Sequence, residues 1–408
     1  MSVGANSAMR IHMYLREFPA RGDRLISGMI KAVHGLAAGF AANAARVTVL
    51  CEGHVTSRVE VASGYDVRCF AYDGERGSSQ SLPSGLRDYL LEQGEDLGVV
   101  VLNSVFNPSV YLVSRLLRRM AVPYIVAPHD PYHPSIFGTN RHLKWPYWYL
   151  REKPMLKHAR SVQVLDLRHA EWLRSLGIQT PVIEVLNGYA PEDVLPEESL
   201  AWRTTGPVRL LYLGRIDSHN KGLDVLLDAF AQLTRGADVE LTIQGPDWGD
   251  RLSMQRRAQR LGLGNRARFL EPDFDVAAAK ITADYDIFCL PSRFEGFGLS
   301  ALEAMLSGRV LLISDIAGIA PHVRTAGNGV IVAPDPAHVK AGLEELIAKR
   351  HQWRDMGLRG RQYALTQLRW ERIAAETMES YRQLMRPPPP ATQRVTPRVT
   401  VRQPARVG

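Results

Sequence analysis

The chain has 408 residues, of which 45% are hydrophobic and 23% are charged, with a formal net charge of +8. This composition is ordinary for a globular protein with a large core, and it excludes collagen-like, coiled-coil and wholly disordered chains. The length predicts two or three domains. The three cysteines, Cys51, Cys69 and Cys289, are too few for a disulfide framework and favour a reducing cytosol.

Targeting signals are not evident in the sequence. No apolar run approaches the ~18 residues of a membrane span, and the N-terminal residues lack the apolar core of a signal peptide. We therefore expect a cytoplasmic protein, with peripheral contact at the inner face of the membrane left open.

The excess of positive charge lies in two segments. Residues 386–408 contain five arginines and no acid, and residues 141–160 contain six Lys and Arg residues against the single acid Glu152. The rest of the chain carries a net −2. Because the main domains carry no excess of positive charge, a nucleic-acid-binding face on them is not favoured, and we expect no nucleic-acid partner.

The first half of the chain alternates short β-branched runs with stretches of helical periodicity. This alternation predicts parallel sheets with crossover helices. Strands are predicted at 9–15, 46–51, 65–70, 98–103, 122–127, 161–165 and 182–186, and helices at 25–42, 84–93, 109–119, 141–158 and 167–176.

The pattern begins again after a Pro- and Glu-rich linker at 191–207, which separates a first domain (1–190) from a second (208–368). Strands are predicted at 208–214, 239–244, 267–270, 285–290, 309–314 and 329–332, and helices at 222–234, 249–261, 299–307 and 336–349, with short helical pieces from 351 to 385. The fold class is therefore α/β, with two doubly wound Rossmann-like domains facing each other across a cleft. Residues 386–408 contain four consecutive prolines and predict a disordered basic tail.

The most informative stretch is 291–308, PSRFEGFGLSALEAMLSG. A Gly-rich turn with Glu295, Gly296 and Gly298 joins a strand to a helix that begins near Leu299. The free N–H groups of a helix N-terminus attract anions, and glycines let a ligand approach the backbone. Glu303 follows Glu295 by eight residues, and both carboxylates can accept hydrogen bonds from a sugar or a ribose. The alternative is one surface glutamate and one capping glutamate.

A second motif, GRIDSHNKG at 214–222, follows the first strand of the second domain. Arg215 and Lys221 lie six residues apart across a turn, and a guanidinium with an ammonium suits a diphosphate. A solvated loop is the alternative interpretation, since loops also gather charges for solubility.

Together, G-R-x5-K-G and E-G-F-G-x4-E resemble glycosyltransferase family 4, the retaining group with the GT-B fold. Residues 122–188 look like the middle segment of that family. Residues 369–385 look like its closing helix, which in GT-B proteins crosses back to the first domain.

The resemblance implies a role for each motif residue. The first domain would bind the acceptor, and the second would bind the nucleotide sugar. Arg215 and Lys221 would bind the donor diphosphate, Glu303 the ribose hydroxyls, and Glu295 the hydroxyls of the donor sugar. Catalytic roles are implied for Arg215, Lys221, Glu295 and His129, the last placed near the reacting sugar. Donor contacts through the backbone are implied for Gly22, Gly214, Gly245, Gly296, Phe297, Gly298 and Leu299.

The implied reaction transfers a hexose from a nucleotide-diphosphate sugar to an acceptor hydroxyl, in polysaccharide, lipopolysaccharide or glycoconjugate biosynthesis. No metal or other cofactor is expected, because Arg215 and Lys221 would take the role of a metal. The base (UDP, GDP or ADP) stays open, as does the acceptor, which is a glycan, a lipid-linked glycan or a small molecule. The alternatives are a nucleotide-sugar epimerase of the same fold and a non-catalytic membrane- or nucleic-acid-binding scaffold.

The sequence departs from the family pattern at three places. The first loop offers only Gly22, between Arg21 and Asp23, where the family often has two adjacent glycines. Asn103 stands where a histidine commonly ends the fourth strand. Residues 271–273, Glu-Pro-Asp, stand where the base-binding region commonly has a glycine, which leaves the nucleotide base undetermined.

Two Asp-x-Asp pairs, at 273–275 and 284–286, have the spacing of a metal–diphosphate motif from another fold. We favour structural roles: Asp275 would cap a helix beginning at Val276, and Asp286 would begin a strand.

The basic segment 141–158 contains Trp145, Tyr147, Trp148 and Tyr149 among its cations. It fits an anionic lipid surface or an ordinary packed helix, and we favour packing because scattered surface cations are common.

Overall fold

A computed structural model describes residues 8–19, 27–74, 81–129, 132–138 and 140–386. The strands are β1 (Arg10–Tyr14), β2 (Arg46–Gly53), β3 (Ser57–Val61), β4 (Tyr65–Ala71), β5 (Val99–Asn103), β6 (Tyr124–Ala127), β7 (Ser161–Val164), β8 (Val182–Glu184), β9 (Val208–Leu213), β10 (Val239–Gln244), β11 (Ala267–Leu270), β12 (Ile287–Leu290), β13 (Val310–Ser314) and β14 (Gly329–Val332).

The helices are α1 (Gly28–Ala42), α2 (Ser84–Gln93), α3 (Pro108–Arg119), α4 (Arg141–Tyr147), α5 (Lys153–His158), α6 (His169–Ser175), α7 (Ser218–Lys221), α8 (Leu223–Leu233), α9 (Arg251–Arg260), α10 (Ala278–Ala283), α11 (Leu299–Leu306), α12 (Ala320–Ala326), α13 (Pro336–Ala348), α14 (Trp353–Gln367) and α15 (Trp370–Met385). Within the linker, Pro191–Asp193 and Glu197–Ser199 form short 3-10 turns.

The strands form two sheets. The first has the order β3-β4-β2-β1-β5-β6-β7-β8, and the second has the order β11-β10-β9-β12-β13-β14. All pairs are parallel except β3 with β4. The central strands are buried on both faces, as the burial of every residue in β5, β6, β12 and β13 shows. Two doubly wound parallel sheets confirm the predicted fold class.

The closing helix α15 returns to the first domain and packs on α1. Gly35 and Gly39 leave room on α1 for Trp370, and a Cβ at Gly35 would overlap its indole ring. Further along, the Tyr381 hydroxyl donates to Gln163 Oε1 of β7 at 2.7 Å. The predicted crossover is therefore present.

The structure differs from the secondary structure predicted from the sequence mainly in short helices and in one edge strand. The edge strand β3 and the helix α12 were not predicted, and α14 is one helix of 15 residues. The helix predicted to begin at Val276 begins at Ala278, so the proposed cap at Asp275 is wrong. Asp273 instead accepts hydrogen bonds from the N–H groups of Asp275 and Val276.

The segment predicted as helix 141–158 contains a π-helical turn at Trp148–Glu152 between α4 and α5. Pro154 follows this turn after one residue, Lys153. Proline has no N–H to donate, and its ring clashes with the carbonyl four residues earlier in a regular helix. The widened turn is the local response, and the Lys153 N–H bonds the Trp148 carbonyl.

Among the described residues, none of the helices combines the length and the apolar character that crossing a bilayer requires.

The contact between α1 and α15 predicts a stability effect. In Gly39→Ala, the new methyl group would lie 2.6 Å from the Trp370 carbonyl oxygen and 2.9 Å from the Ala374 Cβ. Overpacking of this kind costs about 1–3 kcal/mol, although alanine favours the helix itself. Urea unfolding should show a lower free energy of unfolding than the wild type. Gly85→Ala in α2 is the control, because its methyl group meets Phe70 at an ordinary 3.5 Å; equal stability of the two variants would contradict the packing argument.

Candidate active site

The switch point of the second sheet lies between β9 and β12. The strand order runs from β9 to β10 and β11 on one side, and from β12 to β13 and β14 on the other. Ligands of doubly wound sheets bind at such points, beyond the carboxyl ends of the strands. Both sequence motifs lie here, because residues 214–222 follow β9 and residues 291–298 follow β12.

The two loops at the switch point are held together through their backbones. The Asn220 carbonyl accepts from the N–H groups of Arg293 (2.8 Å) and Phe294 (3.0 Å). Gly222 has a φ of 64°, and a Cβ there would overlap the Pro291 carbonyl oxygen. The Arg293 guanidinium also makes two 2.8 Å hydrogen bonds with the Asp224 carboxylate. The geometry of one loop is therefore fixed by the other.

Lys221 and Glu295 form an ion pair across these loops. Lys221 Nζ lies 2.8 Å from Glu295 Oε2, with side chains that are 11% and 14% exposed. An ammonium carries three donors, so Lys221 can donate to Glu295 and to a second anion at once. Two residues predicted to bind the donor diphosphate and the donor sugar thus lie side by side.

The Gly-rich turn leads directly into α11. Gly298, at φ 103°, is the N-cap of that helix and offers no side-chain hydrogen bond to it. Phe297 is buried, and its carbonyl accepts from the Ile319 N–H at 2.9 Å. The first N–H groups of α11 are not capped by a side chain, which leaves them available to an anion.

Glu303 lies on the second turn of α11 and faces the first domain. Its Oε1 accepts from Lys31 Nζ of α1 at 2.7 Å. Burial raises the pKa of Glu303, and the charge and hydrogen bond of Lys31 oppose that rise. The partial burial of Lys31 opposes its protonation, but the Glu303 carboxylate outweighs this effect and raises the pKa of Lys31.

His129 meets the Gly-rich turn from the first domain. A Cβ at Gly296 would overlap the His129 carbonyl oxygen, so glycine permits this approach between the domains. His129 has a φ of 63°, and its Nε2 lies 2.8 Å from Asn103 Oδ1. The Asn103 amide is fully buried and also donates to the Tyr14 carbonyl, which orients it. Burial lowers the pKa of His129 to about 4.

Arg215 is placed differently from Lys221. Its guanidinium lies over the Trp248 ring, 4.2 Å from the ring centroid, and its carbonyl accepts from the buried Tyr212 hydroxyl. Trp248 is 61% exposed and was not singled out from the sequence. Nearby, a Cβ at Gly245 would overlap the Gly214 carbonyl oxygen, so this glycine permits close approach of the loops that follow β9 and β10.

Gly22, the predicted first-domain phosphate contact, lies outside the described residues, and so does Asp23. The glycine that the structure places across from α11 is Gly28, the first residue of α1. A Cβ there would lie 3.5 Å from Leu299 Cδ1. The Ser27 hydroxyl caps α1 by accepting from the Ile30 N–H.

The Asp-x-Asp residues serve local structure. Asp286 directly precedes β12, where its carboxylate accepts from the Arg209 N–H and pairs with Arg203. In the part of the chain that the structure describes, no three His, Cys, Asp or Glu side chains come together as a metal site.

Comparison with known protein families matches both halves of the chain. The model described as glycosyl transferase 4-like domain matches residues 27–188, and the model described as glycosyl transferases group 1 matches residues 200–363.

Two curated relatives illustrate the similarity. A D-inositol 3-phosphate glycosyltransferase from Nocardia farcinica is 30% identical over 204 residues, which cover 48% of this chain and 45% of the relative. A phosphatidyl-myo-inositol mannosyltransferase from Mycobacterium tuberculosis is 28% identical over 226 residues, which cover 54% of this chain and 58% of the relative. The chain spans about half the length of these relatives.

Solved structures share the fold over nearly the whole chain. A sucrose-phosphate synthase from Thermosynechococcus elongatus has a TM-score of 0.70 at 19% identity, covering 92% of this chain and 99% of its own. Anabaena HepE in complex with UDP and glucose has a TM-score of 0.67 at 16% identity, covering 91% and 99%. These are GT-B proteins, and the two facing sheets with a crossover helix are the GT-B fold.

The lowered pKa of His129 predicts a pH dependence of stability. The unfolded chain takes up a proton on this histidine below its ordinary pKa of 6.5, while the folded chain does so only near 4. The free energy of unfolding therefore falls as the pH drops through this window, by on the order of 1–2 kcal/mol between pH 7 and pH 5. His129→Gln should lose less stability over the same range in urea unfolding. His142→Gln, at an exposed histidine, is the control. Parallel pH profiles for wild type and His129→Gln would contradict the claim that His129 causes this pH dependence.

Proposed function

Because the chain belongs to the group 1 glycosyl transferases with a 4-like first domain, we propose that it transfers a sugar from a nucleotide-diphosphate sugar to an acceptor hydroxyl. The observation that carries this proposal is the Lys221–Glu295 pair at the switch point, beside the uncapped N-terminus of α11. Cationic and carboxylate groups at one point suit a ligand with a diphosphate at one end and hydroxyls at the other.

The proposed donor lies along α11. Its diphosphate contacts Lys221, Arg215 and the first N–H groups of the helix. Its ribose hydroxyls donate to Glu303, and its sugar hydroxyls donate to Glu295. The backbones of Gly296, Phe297, Gly298 and Leu299 line the path between them.

The proposed reaction retains the configuration of the anomeric carbon and needs no metal ion. The bond from the anomeric carbon to the diphosphate oxygen breaks while the acceptor oxygen bonds to that carbon on the same face, and the proton of the acceptor hydroxyl passes to the leaving diphosphate oxygen. Negative charge develops on the leaving diphosphate, where Arg215 and Lys221 stabilise it, as a divalent cation does in other enzymes. Loss of one such fixed stabiliser costs about 10²–10³ in rate.

His129 would contact the reacting sugar as a neutral imidazole, since burial lowers the pKa of His129 to about 4. With Asn103 Oδ1 beside Nε2, that nitrogen carries the proton and Nδ1 stays an acceptor. We propose that His129 holds a sugar hydroxyl and leaves the charge of the site to the cations.

The relatives guide the choice of substrates. Their names specify inositol phosphate, phosphatidylinositol and mannose, and HepE was solved with UDP and glucose. We propose a hexosyl donor and a glycan, lipid-linked or polyol acceptor in glycoconjugate biosynthesis. Nothing in these comparisons favours the epimerase or the scaffold.

Lys221→Ala should strongly reduce transfer while leaving the protein folded. A thermal-shift screen with UDP, GDP, ADP and their sugars first identifies the donor, because a ligand that binds the folded state raises its melting temperature. With that donor, hydrolysis and transfer by Lys221→Ala should fall by a factor of about 10²–10³ or more. Lys280→Ala, an exposed lysine of the same domain, is the control. Near-normal turnover by Lys221→Ala would overturn the assignment of the diphosphate site.

We also propose that the segment 141–151 contacts an anionic membrane surface. Leu143, Tyr149 and Leu150 are 63%, 60% and 71% exposed. Part of the segment packs as expected, since Trp148 is buried and Trp145 stacks on Phe137.

Charge supports this contact. The single acid of the basic segment, Glu152, is fully buried and accepts from the Tyr132 hydroxyl and the Phe106 N–H, so it does not offset the exposed cations. Burial raises the pKa of Glu152 to about 7. An exposed face with cations and large apolar side chains matches an anionic lipid surface.

The double variant Leu143→Ser, Leu150→Ser should sediment less with vesicles of anionic lipid than the wild type, since burial of each leucine contributes about 1.5–3 kcal/mol. Leu252→Ser, at a leucine of the second domain that is 57% exposed, is the control. Sedimentation that depends neither on anionic lipid nor on these leucines would remove the membrane contact.

A further inference from the structure

Lys31 is a residue of the first domain that touches the proposed ribose-binding carboxylate. It lies on the first turns of α1, and its Nζ is 2.7 Å from Glu303 Oε1. The Glu303 side chain is 11% exposed and that of Lys31 is 41% exposed. The pair spans 272 residues of sequence and joins the two domains.

We propose that Lys31 is a positioning residue for the donor nucleotide, which keeps Glu303 ionised and directed so that it accepts hydrogen bonds from the ribose. This inference rests on the proposed function, because it assigns a partner to the carboxylate that would hold the nucleotide. It adds a residue that neither sequence motif contains.

The surroundings of Glu303 explain why such a partner is needed. The pair lines a cavity of about 130 Å³, to which α1 also contributes His34 and the linker contributes Glu192 and Asp193. Burial favours the neutral form of Glu303, and the negative charge of Asp193 acts in the same direction. Of the described residues that line this cavity, Lys31 is the one lysine or arginine.

An ionised carboxylate is the form that binds a diol well. It has about four lone-pair positions, so Lys31 can occupy one on Oε1 while hydroxyls of a ribose use the others. A protonated carboxyl would give up acceptor capacity and place a hydrogen on one of the two oxygens. Removing Lys31 should therefore weaken ribose recognition without removing any group that touches the nucleotide.

The pair also couples the nucleotide site to the position of the first domain. Lys31 reaches Glu303 only when α1 lies against α11. Gly28 of α1 and Leu299 of α11 belong to the same contact. Contact between α1 and α11 should then raise the affinity for the nucleotide, and nucleotide binding should favour that contact.

Calorimetric titration of Lys31→Met, Lys31→Arg and Glu303→Gln with UDP, GDP and ADP tests the proposal. We expect Lys31→Met to weaken the nucleotide that binds the wild type by about tenfold, and Lys31→Arg to restore most of the affinity. The pH below which affinity falls should move upward in Lys31→Met, because the carboxylate loses its cation. The other titrating neighbours, His34, Glu192 and Asp193, are present in every variant.

The ribose supplies a readout that a structural role would not change. The matching 2′-deoxynucleoside diphosphate should bind wild type more weakly than the ribonucleotide, and Lys31→Met should reduce this difference. In a Glu303→Gln background, Lys31→Met should have little further effect. Equal losses for ribo- and deoxyribonucleotide, or an undiminished effect in that background, would overturn the inference.

The same data separate this inference from the proposed function. If none of the three nucleotides binds the wild type, or if Glu303→Gln binds as tightly as wild type, the proposed donor site is wrong. If the wild type binds, Glu303→Gln is impaired and Lys31→Met is normal, only the role of Lys31 is wrong. Thermal unfolding of each variant shows that the comparison is between folded proteins.

Discussion

The close approach of two loops at the switch point of the second sheet is the constraint on which the site depends. Gly222 allows the chain to pass against the Pro291 carbonyl, and the Asn220 carbonyl accepts two N–H groups of the neighbouring loop. These contacts involve backbone atoms, so they fix the path of both loops whatever side chains they carry. The 2.8 Å separation of Lys221 and Glu295 is a result of that path.

The first domain completes the site through contacts of three kinds. The His129 carbonyl meets the backbone at Gly296, and Lys31 pairs with Glu303. Arg168, in the loop after β7, donates to the carbonyls of Asp315 and Ala317 in the second domain. One contact is steric, one is ionic and one uses a charged donor on neutral acceptors, so salt or pH acts unequally on them.

The sequence predicted the sheets and the motif loops because their signals are local. Periodicity marks each strand, and a strand–Gly turn–helix such as 287–306 carries its spacing within a few residues. Lys31 and Trp248 have no such signal, because their roles depend on contacts with residues that are distant in the sequence or lie in another loop, Glu303 and Arg215. The π-helical turn before Pro154 could likewise not be predicted from the sequence. A proline indicates that a regular helix is interrupted, but it does not specify the geometry of the interruption.

The chain passes between the domains twice, once through the linker and again where Arg369 bridges to Tyr189 before α15 begins. The first domain is therefore built from the residues before the linker and from α15, and the second domain lies between these two parts in the sequence. A ribosome releases α1 long before α15 exists, so the glycine-lined groove of α1 stays uncovered while the second domain is synthesised. Folding of the first domain is in this sense tied to a segment that is translated after the second domain.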